Sequence, residues 1–222
     1  MVQKNREIRT CHIVGAGEFN KEAFKPEPGD YIIAADGGYN YVISRGFYPD
    51  AVIGDFDSLK RVPEHKNIIR HPVRKDDTDT LLSVKIALDA GYERIIIHGG
   101  TGGRVDHTIA NFQTLSFIAA RDAECFLIGR EYIACAVKDG SLLFNGGYTG
   151  TVSVFCMGET AHGVYLKGFK YPLENVDLHP CIPIGVSNEF LKKPAQVRVD
   201  KGILTVLWYD ISSPLPQMCR TV

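Results

Sequence analysis

The sequence predicts an α/β half followed by an all-β half. Three observations support this. Up to about residue 129, short apolar runs alternate with glycine-containing turns and stretches of helical periodicity. From about Arg130 the helical periodicity stops, and short β-rich runs are punctuated by turn signals. The 222 residues are 45% apolar and 23% charged, enough to pack a core in one large domain or two modest ones. The division expected is residues 1–129 and residues 130–222, joined without a low-complexity linker.

The bulk properties also exclude classes. A net charge of −1 leaves no basic excess, so a broad nucleic-acid-binding face is not expected. No run approaches eighteen apolar residues, so no membrane-spanning helix is expected. The stretch from Met1 to Thr10 lacks the apolar core of a signal peptide. Cys11, Cys125, Cys135, Cys156, Cys181 and Cys219 form no CxxC pair, and most stand in apolar runs. Reduced thiols in a cytoplasmic protein fit that usage better than a zinc site.

Cys11-His12-Ile13-Val14 reads as the first strand. Gly15-Ala16-Gly17 follows, but Asn20 stands where a dinucleotide fingerprint needs its third glycine, which favours a tight strand-to-helix turn. Tyr31 to Ala35 is the second strand. Asp36-Gly37-Gly38 ends it and a helix from Tyr39 to Arg45 follows, so Asp36 is either a ligand contact at a strand's carboxyl end or a helix N-cap. Ala51-Val52-Ile53 reads as a buried strand leading into Gly54-Asp55-Phe56-Asp57-Ser58. In an extended segment, Asp55 and Asp57 point the same way. Two carboxylates that close repel unless a cation lies between them or one is protonated, and Mg²⁺ with its preference for oxygen ligands is the economical choice. The alternative is a turn of solvated aspartates.

Asn67 to Arg70 reads as another strand. Asp76, Asp77 and Asp79 then precede a helix that contains Leu81, Leu82, Val84 and Leu88 and stops at Gly91. Acids in a first turn are ordinary dipole chemistry. Three in four positions exceed that need, and with Asp55 and Asp57 they place five carboxylates on two loops of one sheet edge. Arg94 to His98 is a strong strand that runs into Gly99-Gly100-Thr101-Gly102-Gly103-Arg104-Val105-Asp106-His107. Four glycines in five positions allow backbone N–H groups to approach an anion, and Arg104 offers a forked donor. The Walker ending is missing, so this reads as a phosphate cradle of another kind, the alternative being a flexible turn. A helix is expected from about Thr108 to Arg121. Asp106 would cap it or hold a metal-bound water, and His107 would be a structural hydrogen-bonder. Glu124 to Ile128 is the last strand of this half.

In the second half, Asp139-Gly140, Asn145-Gly146-Gly147 and Asp200-Lys201-Gly202 are expected to be hairpin turns between runs such as Tyr132–Val137, Ser141–Phe144 and Ile203–Tyr209. That is the texture of a β-sandwich or barrel. By residue type alone, Ser187-Asn188-Glu189 is a turn and Trp208, the single tryptophan, is core.

Taken in order, Asp36-Gly37-Gly38, Gly54-Asp55-Phe56-Asp57-Ser58, Asp76-Asp77-Thr78-Asp79, Thr101 to His107, Tyr171-Pro172-Leu173-Glu174 and Gly185-Val186-Ser187-Asn188 resemble the thiamine pyrophosphokinases, over about Cys11 to Tyr209. The resemblance implies a Rossmann-like, mostly parallel α/β domain and a C-terminal β-sandwich in a homodimer whose active site is shared between subunits. It implies transfer of a pyrophosphoryl group from ATP to the thiamine hydroxyl, giving thiamine diphosphate and AMP. By position, Asp55, Asp57, Asp76 and Asp79 would hold Mg²⁺, with Asp77 or Asp79 as the proton acceptor. Asp36, Gly37, Thr101, Gly102, Gly103, Arg104 and Asp106 would contact ATP, and Ser187, Asn188 and Trp208 would contact thiamine, the indole stacking on the cationic thiazolium. Two other readings compete. Asp55-Phe56-Asp57-Ser58-Leu59 superficially fits a phosphatase of the haloacid-dehalogenase type with Asp55 as nucleophile. A non-catalytic nucleotide or vitamin sensor would bind both ligands and release no AMP.

Overall fold

The computed structural model describes residues 8–54, 65–70 and 77–220. Asp55, Asp57 and Asp76 lie outside the described residues. The described residues contain thirteen strands and three helices. In the first half these are β1 (Thr10–Val14), β2 (Tyr31–Ala35), α1 (Gly38–Ser44), β3 (Ala51–Gly54), β4 (Ile68–Arg70), α2 (Asp79–Asp89), β5 (Arg94–His98), α3 (Val105–Ala120) and β6 (Glu124–Ile128). Six strands are parallel in the order β4-β3-β2-β1-β5-β6. They are apolar because both faces are covered. Val84, Leu115 and Ile118 from α2 and α3 pack with Ile13, Ile33, Ile95 and Ile97 on one face. Val42 of α1 and Phe24 pack with Val14, Ile32 and Val52 on the other.

The second half is all strand: β7 (Ile133–Phe144), β8 (Thr151–Phe155), β9 (Ala161–Lys167), β10 (Leu173–Leu178), β11 (Asn188–Glu189), β12 (Ala195–Trp208) and β13 (Gln217–Arg220). β7 pairs antiparallel with β6, so one mixed sheet runs through both halves. β7 and β12 form a long ribbon that changes neighbours midway. Ile133–Cys135 pair with β6, while Gly140–Leu143 pair with β13. Gln196–Lys201 pair with β9, while Thr205–Trp208 pair with β8.

This ribbon corrects two expected hairpin turns. Asp139-Gly140 and Asp200-Lys201-Gly202 lie inside β7 and β12, not between strands. They face each other across a break in register between Val199 and Ile203. Asp139 adopts φ +43°, and its carboxylate accepts a hydrogen bond from the Gly202 amide at 2.7 Å. Turn-type residues therefore build paired bulges, which bend strands where they change partners. Asn145-Gly146-Gly147 does follow the end of β7.

Two further expectations change. No helix follows Gly15-Ala16-Gly17; residues 15–30 reach β2 as an irregular segment. Helix α3 begins at Val105, earlier than expected, so Asp106 and His107 belong to its first turn.

Candidate active site

Strands β1 and β5 are adjacent, and the chain leaves them toward opposite sides of the sheet: from β1 to β2, and from β5 to β6. Open parallel sheets form their ligand crevice at such a switch point, beyond the carboxyl ends of the strands. A cavity of about 270 Å³ lies there. Gly15-Ala16-Gly17, Asp36, Thr78-Asp79-Thr80, the loop Gly99 to Arg104, His107 and Asn111 line it.

The two glycine segments are hydrogen-bonded to each other by backbone. The Gly15 amide donates to the His98 carbonyl at 2.8 Å, the Gly17 amide to Gly99 at 2.8 Å and the Glu18 amide to Thr101 at 2.6 Å. A methyl group on Gly17 would stand 2.7 Å from the Gly99 carbonyl oxygen, so these glycines are set by close backbone approach. The Asn111 amide donates to the Gly100 carbonyl at 2.6 Å and ties the loop to α3. Gly102 and Gly103, at φ +82° and +64°, turn the loop toward the N-terminus of α3. The first turns of α2 and α3 both reach the cavity, and a helix N-terminus favours an anion.

The carboxylates separate into distinct roles. Asp79 lines the cavity from the first turn of α2, whose cap is Thr78 accepting from the Leu81 amide at 3.2 Å. Asp77 does not line it. Asp77 is bound to Lys85 at 2.6 Å, with both side chains partly exposed. Asp36, at φ +48°, lines the cavity and packs on Gly54, where a Cβ would stand 2.9 Å from its Cγ. Strand β3 therefore ends beside Asp36. Among the described residues no group of three His, Cys, Asp or Glu side chains converges as a metal site. The donors that do face the cavity, Asp36 and Asp79, are hard oxygen ligands of the kind Mg²⁺ takes.

Arg104 faces the cavity from the N-cap position of α3, and its guanidinium meets Asp106 at 2.5 Å. That hydrogen bond raises the pKa of Arg104 and lowers that of Asp106. Asp106 does not line the cavity. It holds Arg104 and accepts the His107 amide at 3.0 Å, and no side chain caps α3. Gly37 precedes α1 just outside the cavity.

The residues expected to bind thiamine are elsewhere. Asn188 is buried, and its side chain clamps residue 171: its carbonyl accepts from the Tyr171 amide at 2.9 Å and its amide donates to the Tyr171 carbonyl at 2.6 Å. Ser187 is exposed at φ +61°, with its amide on the Ser153 hydroxyl. Trp208 is 0% exposed and meets Phe144 edge-on at 5.4 Å, so its ring presents no face to a ligand in this chain. In this chain it takes the core position that residue type alone predicts.

Sequence reasoning passed over Gly15 to Gly17, Thr78, Thr80 and Asn111. The Gly15-Ala16-Gly17 signal was present but was set aside for want of a third glycine. Asn20, in that place, instead ties the segment to Arg130, its amide donating to the carbonyl at 3.0 Å.

A family model described as thiamin pyrophosphokinase, catalytic domain, matches residues 27–127, and one described as thiamin pyrophosphokinase, vitamin B1 binding domain, matches residues 142–204. The chain belongs to the thiamine pyrophosphokinase family. The thiamine pyrophosphokinase of Bacillus subtilis (strain 168) is 28% identical over 216 residues, covering 90% of this chain and 98% of the relative. Thiamin pyrophosphokinase 1 of Caenorhabditis elegans is 29% identical over 172 residues, covering 72% and 71%. The crystal structure of the Bacillus subtilis thiamine pyrophosphokinase superposes with a TM-score of 0.81 at 26% identity, covering 90% of this chain and 99% of that one. That of Geobacillus thermodenitrificans gives 0.77 at 26% identity, covering 93% and 100%. In a thiamine pyrophosphokinase of this layout most of the cavity falls in the matched catalytic segment, Ser187 and Asn188 fall in the matched vitamin-binding segment, and Trp208 lies past it.

Proposed function

We propose that this chain transfers a pyrophosphoryl group from ATP to the hydroxyl of thiamine, giving thiamine diphosphate and AMP. The observation that carries the reading is the paired glycine cradle at the β1/β5 switch point, with Asp79 on its rim, in a member of this family. The backbone amides of the Gly99–Gly103 loop and the start of α3 would receive phosphate oxygens, and Arg104, oriented by Asp106, would add a forked donor. The thiamine hydroxyl would attack the β-phosphorus in line, a reaction that needs positioning and charge neutralisation more than covalent help. Asp79 is the better placed proton acceptor, because it lines the cavity and Asp77 does not. Mg²⁺ would be held by Asp79 with Asp55, Asp57 and Asp76, near Asp36, and would supply neutralisation of phosphate charge.

The β-rich half would supply thiamine contacts around Ser187 and Asn188 to the site of a partner subunit in a homodimer. The switch point supports reading the first half as Rossmann-like, and the closed apolar core of Phe144, Val154, Val164, Leu166, Val197 and Trp208 supports reading the second as a β-sandwich. Free cysteines accord with a cytoplasmic setting, and among the described residues no helix is long and apolar enough to cross a membrane.

The deciding experiment is AMP release from ATP and Mg²⁺ with and without thiamine. Thiamine-dependent AMP matched by thiamine diphosphate is expected. Phosphate release without thiamine would indicate the phosphatase, and binding of both ligands without turnover would indicate the sensor.

A further inference from the structure

A parallel crossover usually lays a helix on the sheet face, but the connection from β1 to β2 carries none. On the face of β1, β5 and β6 beside that connection lies a second cavity, of about 410 Å³. That connection and residues 211–215 both contribute to its lining, and no residue lines both this cavity and the one at the switch point. Its size is that of small-molecule sites.

Lys25, Glu27, Asp30 and Arg94 are the charged side chains of the lining, and their charges do not cancel. Arg94 is bound at 2.7 Å to Glu124, which stands outside the lining. Lys25 and Glu27 are exposed and offset each other by count. Asp30 remains. Its side chain is 17% exposed, so it is sheltered yet reachable. Its Oδ2 accepts from the Glu27 amide at 2.8 Å and lies 3.1 Å from His12 Nε2. Burial lowers the pKa of His12 against the pull of Asp30 and Glu27, so the ring beside Asp30 is a neutral donor. Among the described residues no lysine or arginine pairs with Asp30, and no hydrogen bond reaches its Oδ1. The carboxylate is hydrogen-bonded but has no counter-charge, which is costly in a sheltered place.

We propose that this cavity binds a small organic monocation, an ammonium or amidinium group on a ring-sized apolar body, with its charged N–H donors on the Asp30 carboxylate. The apolar body has Ile96, Ile128, Ile133, Ile211 and Leu215 to pack on. One positive charge balances the one carboxylate left over, and a charge-assisted hydrogen bond forms at the open Oδ1. A neutral ligand would cover Asp30 and leave it desolvated without an opposite charge. An anion would meet the same carboxylate, and the lining offers it few free donors: the hydroxyls of Ser212 and Ser213 already donate to Asp210, at 2.8 and 2.9 Å.

The test is histidine side-chain NMR on the full chain labelled with ¹⁵N, titrated at neutral pH with benzylamine as the cation, benzyl alcohol as its neutral match and benzoate as the anion. Benzylamine is expected to shift His12 Nε2 saturably and to bind about tenfold more tightly than benzyl alcohol, about 1.4 kcal/mol, with benzoate weakest. Asp30→Asn keeps an acceptor for the Glu27 amide and for His12 but removes the charge, and it should bring benzylamine down to benzyl alcohol. Equal binding of the three probes, tighter binding of benzoate, or no saturable shift because Lys25 turns inward onto Asp30, would overturn the proposal. The comparison on the unaltered chain decides this even where Asp30→Asn does not fold.

Discussion

Gly15 and Gly99 are in backbone contact across the switch point: a methyl group on Gly15 would stand 2.8 Å from the Gly99 carbonyl oxygen, and Gly99 itself adopts φ +60°. The cradle therefore exists only while both positions lack a side chain. Gly99→Ala should cost about 2–3 kcal/mol through left-handed strain and the forced separation of β1 from β5. Urea denaturation would read the loss, and the Michaelis constant for ATP should rise with it. An unchanged midpoint would show that the two loops part without cost.

Asp79 and Asp77 offer a sharper contrast. Asp79→Asn should lower kcat by at least about 100-fold, the usual worth of a positioned proton acceptor, with little change in stability. Asp77→Asn loses an ion pair with a part-exposed lysine, worth at most about 1 kcal/mol, and should keep most turnover. Asp55→Asn should behave like Asp79→Asn. Steady-state AMP release separates these outcomes, and equal activities across the three variants would remove the assigned roles.

Trp208 should behave as a core residue. Trp208→Phe should destabilise the chain by about 1–3 kcal/mol through lost packing against Phe144, while the Michaelis constant for thiamine stays put. A large rise in that constant at unchanged stability would restore a stacking role.

Stability should fall as pH drops below about 6.5. His12 and His98 are held neutral by burial, their pKa values lowered in the folded chain. Above the unfolded-state value both states are neutral and the stability is fully present. Below it the unfolded chain binds protons that the folded chain refuses, so each histidine removes up to about 1.4 kcal/mol per pH unit until its folded pKa is reached. Asp210 adds a second loss at lower pH. Burial alone would raise its pKa, but hydrogen bonds from Ser212, Thr149 and Ser213 outweigh that and hold it low, so its contribution disappears as pH falls through the folded value. Denaturation midpoints from pH 7.5 to 5 should show the first slope, and His98→Phe should flatten it.

Much of the architecture was legible from local pattern. Tyr31–Ala35, Arg94–His98 and Glu124–Ile128 were expected as strands and are strands, because runs buried on both faces are apolar throughout and end at turn residues. The glycine loop before α3 was legible too, because four glycines in five positions have few other uses. Asp139-Gly140 and Asp200-Lys201-Gly202 were misread for a definite reason. A bulge and a hairpin ask for the same left-handed, side-chain-poor residues, and only the opposite strand distinguishes them.

By itself the sequence determined the strands of the first half, the helices that follow β2, β4 and β5, the glycine-rich loop before α3 and the existence of a run of carboxylates. These depend on periodicity and residue type, which are local. Only the tertiary structure decided that Gly15 to Gly17 close onto Gly99 to Thr101, that Asp79 faces the cavity while Asp77 turns to Lys85, and that Trp208 is core. The first and the last depend on which distant segment lies opposite, whereas Asp77 and Lys85 are eight residues apart and the placing of α2 at the cavity divides the two carboxylates. Partners 80 or more residues apart in the chain, such as Gly15 and Gly99, are brought together by strand pairing and burial, not by any pattern within either stretch.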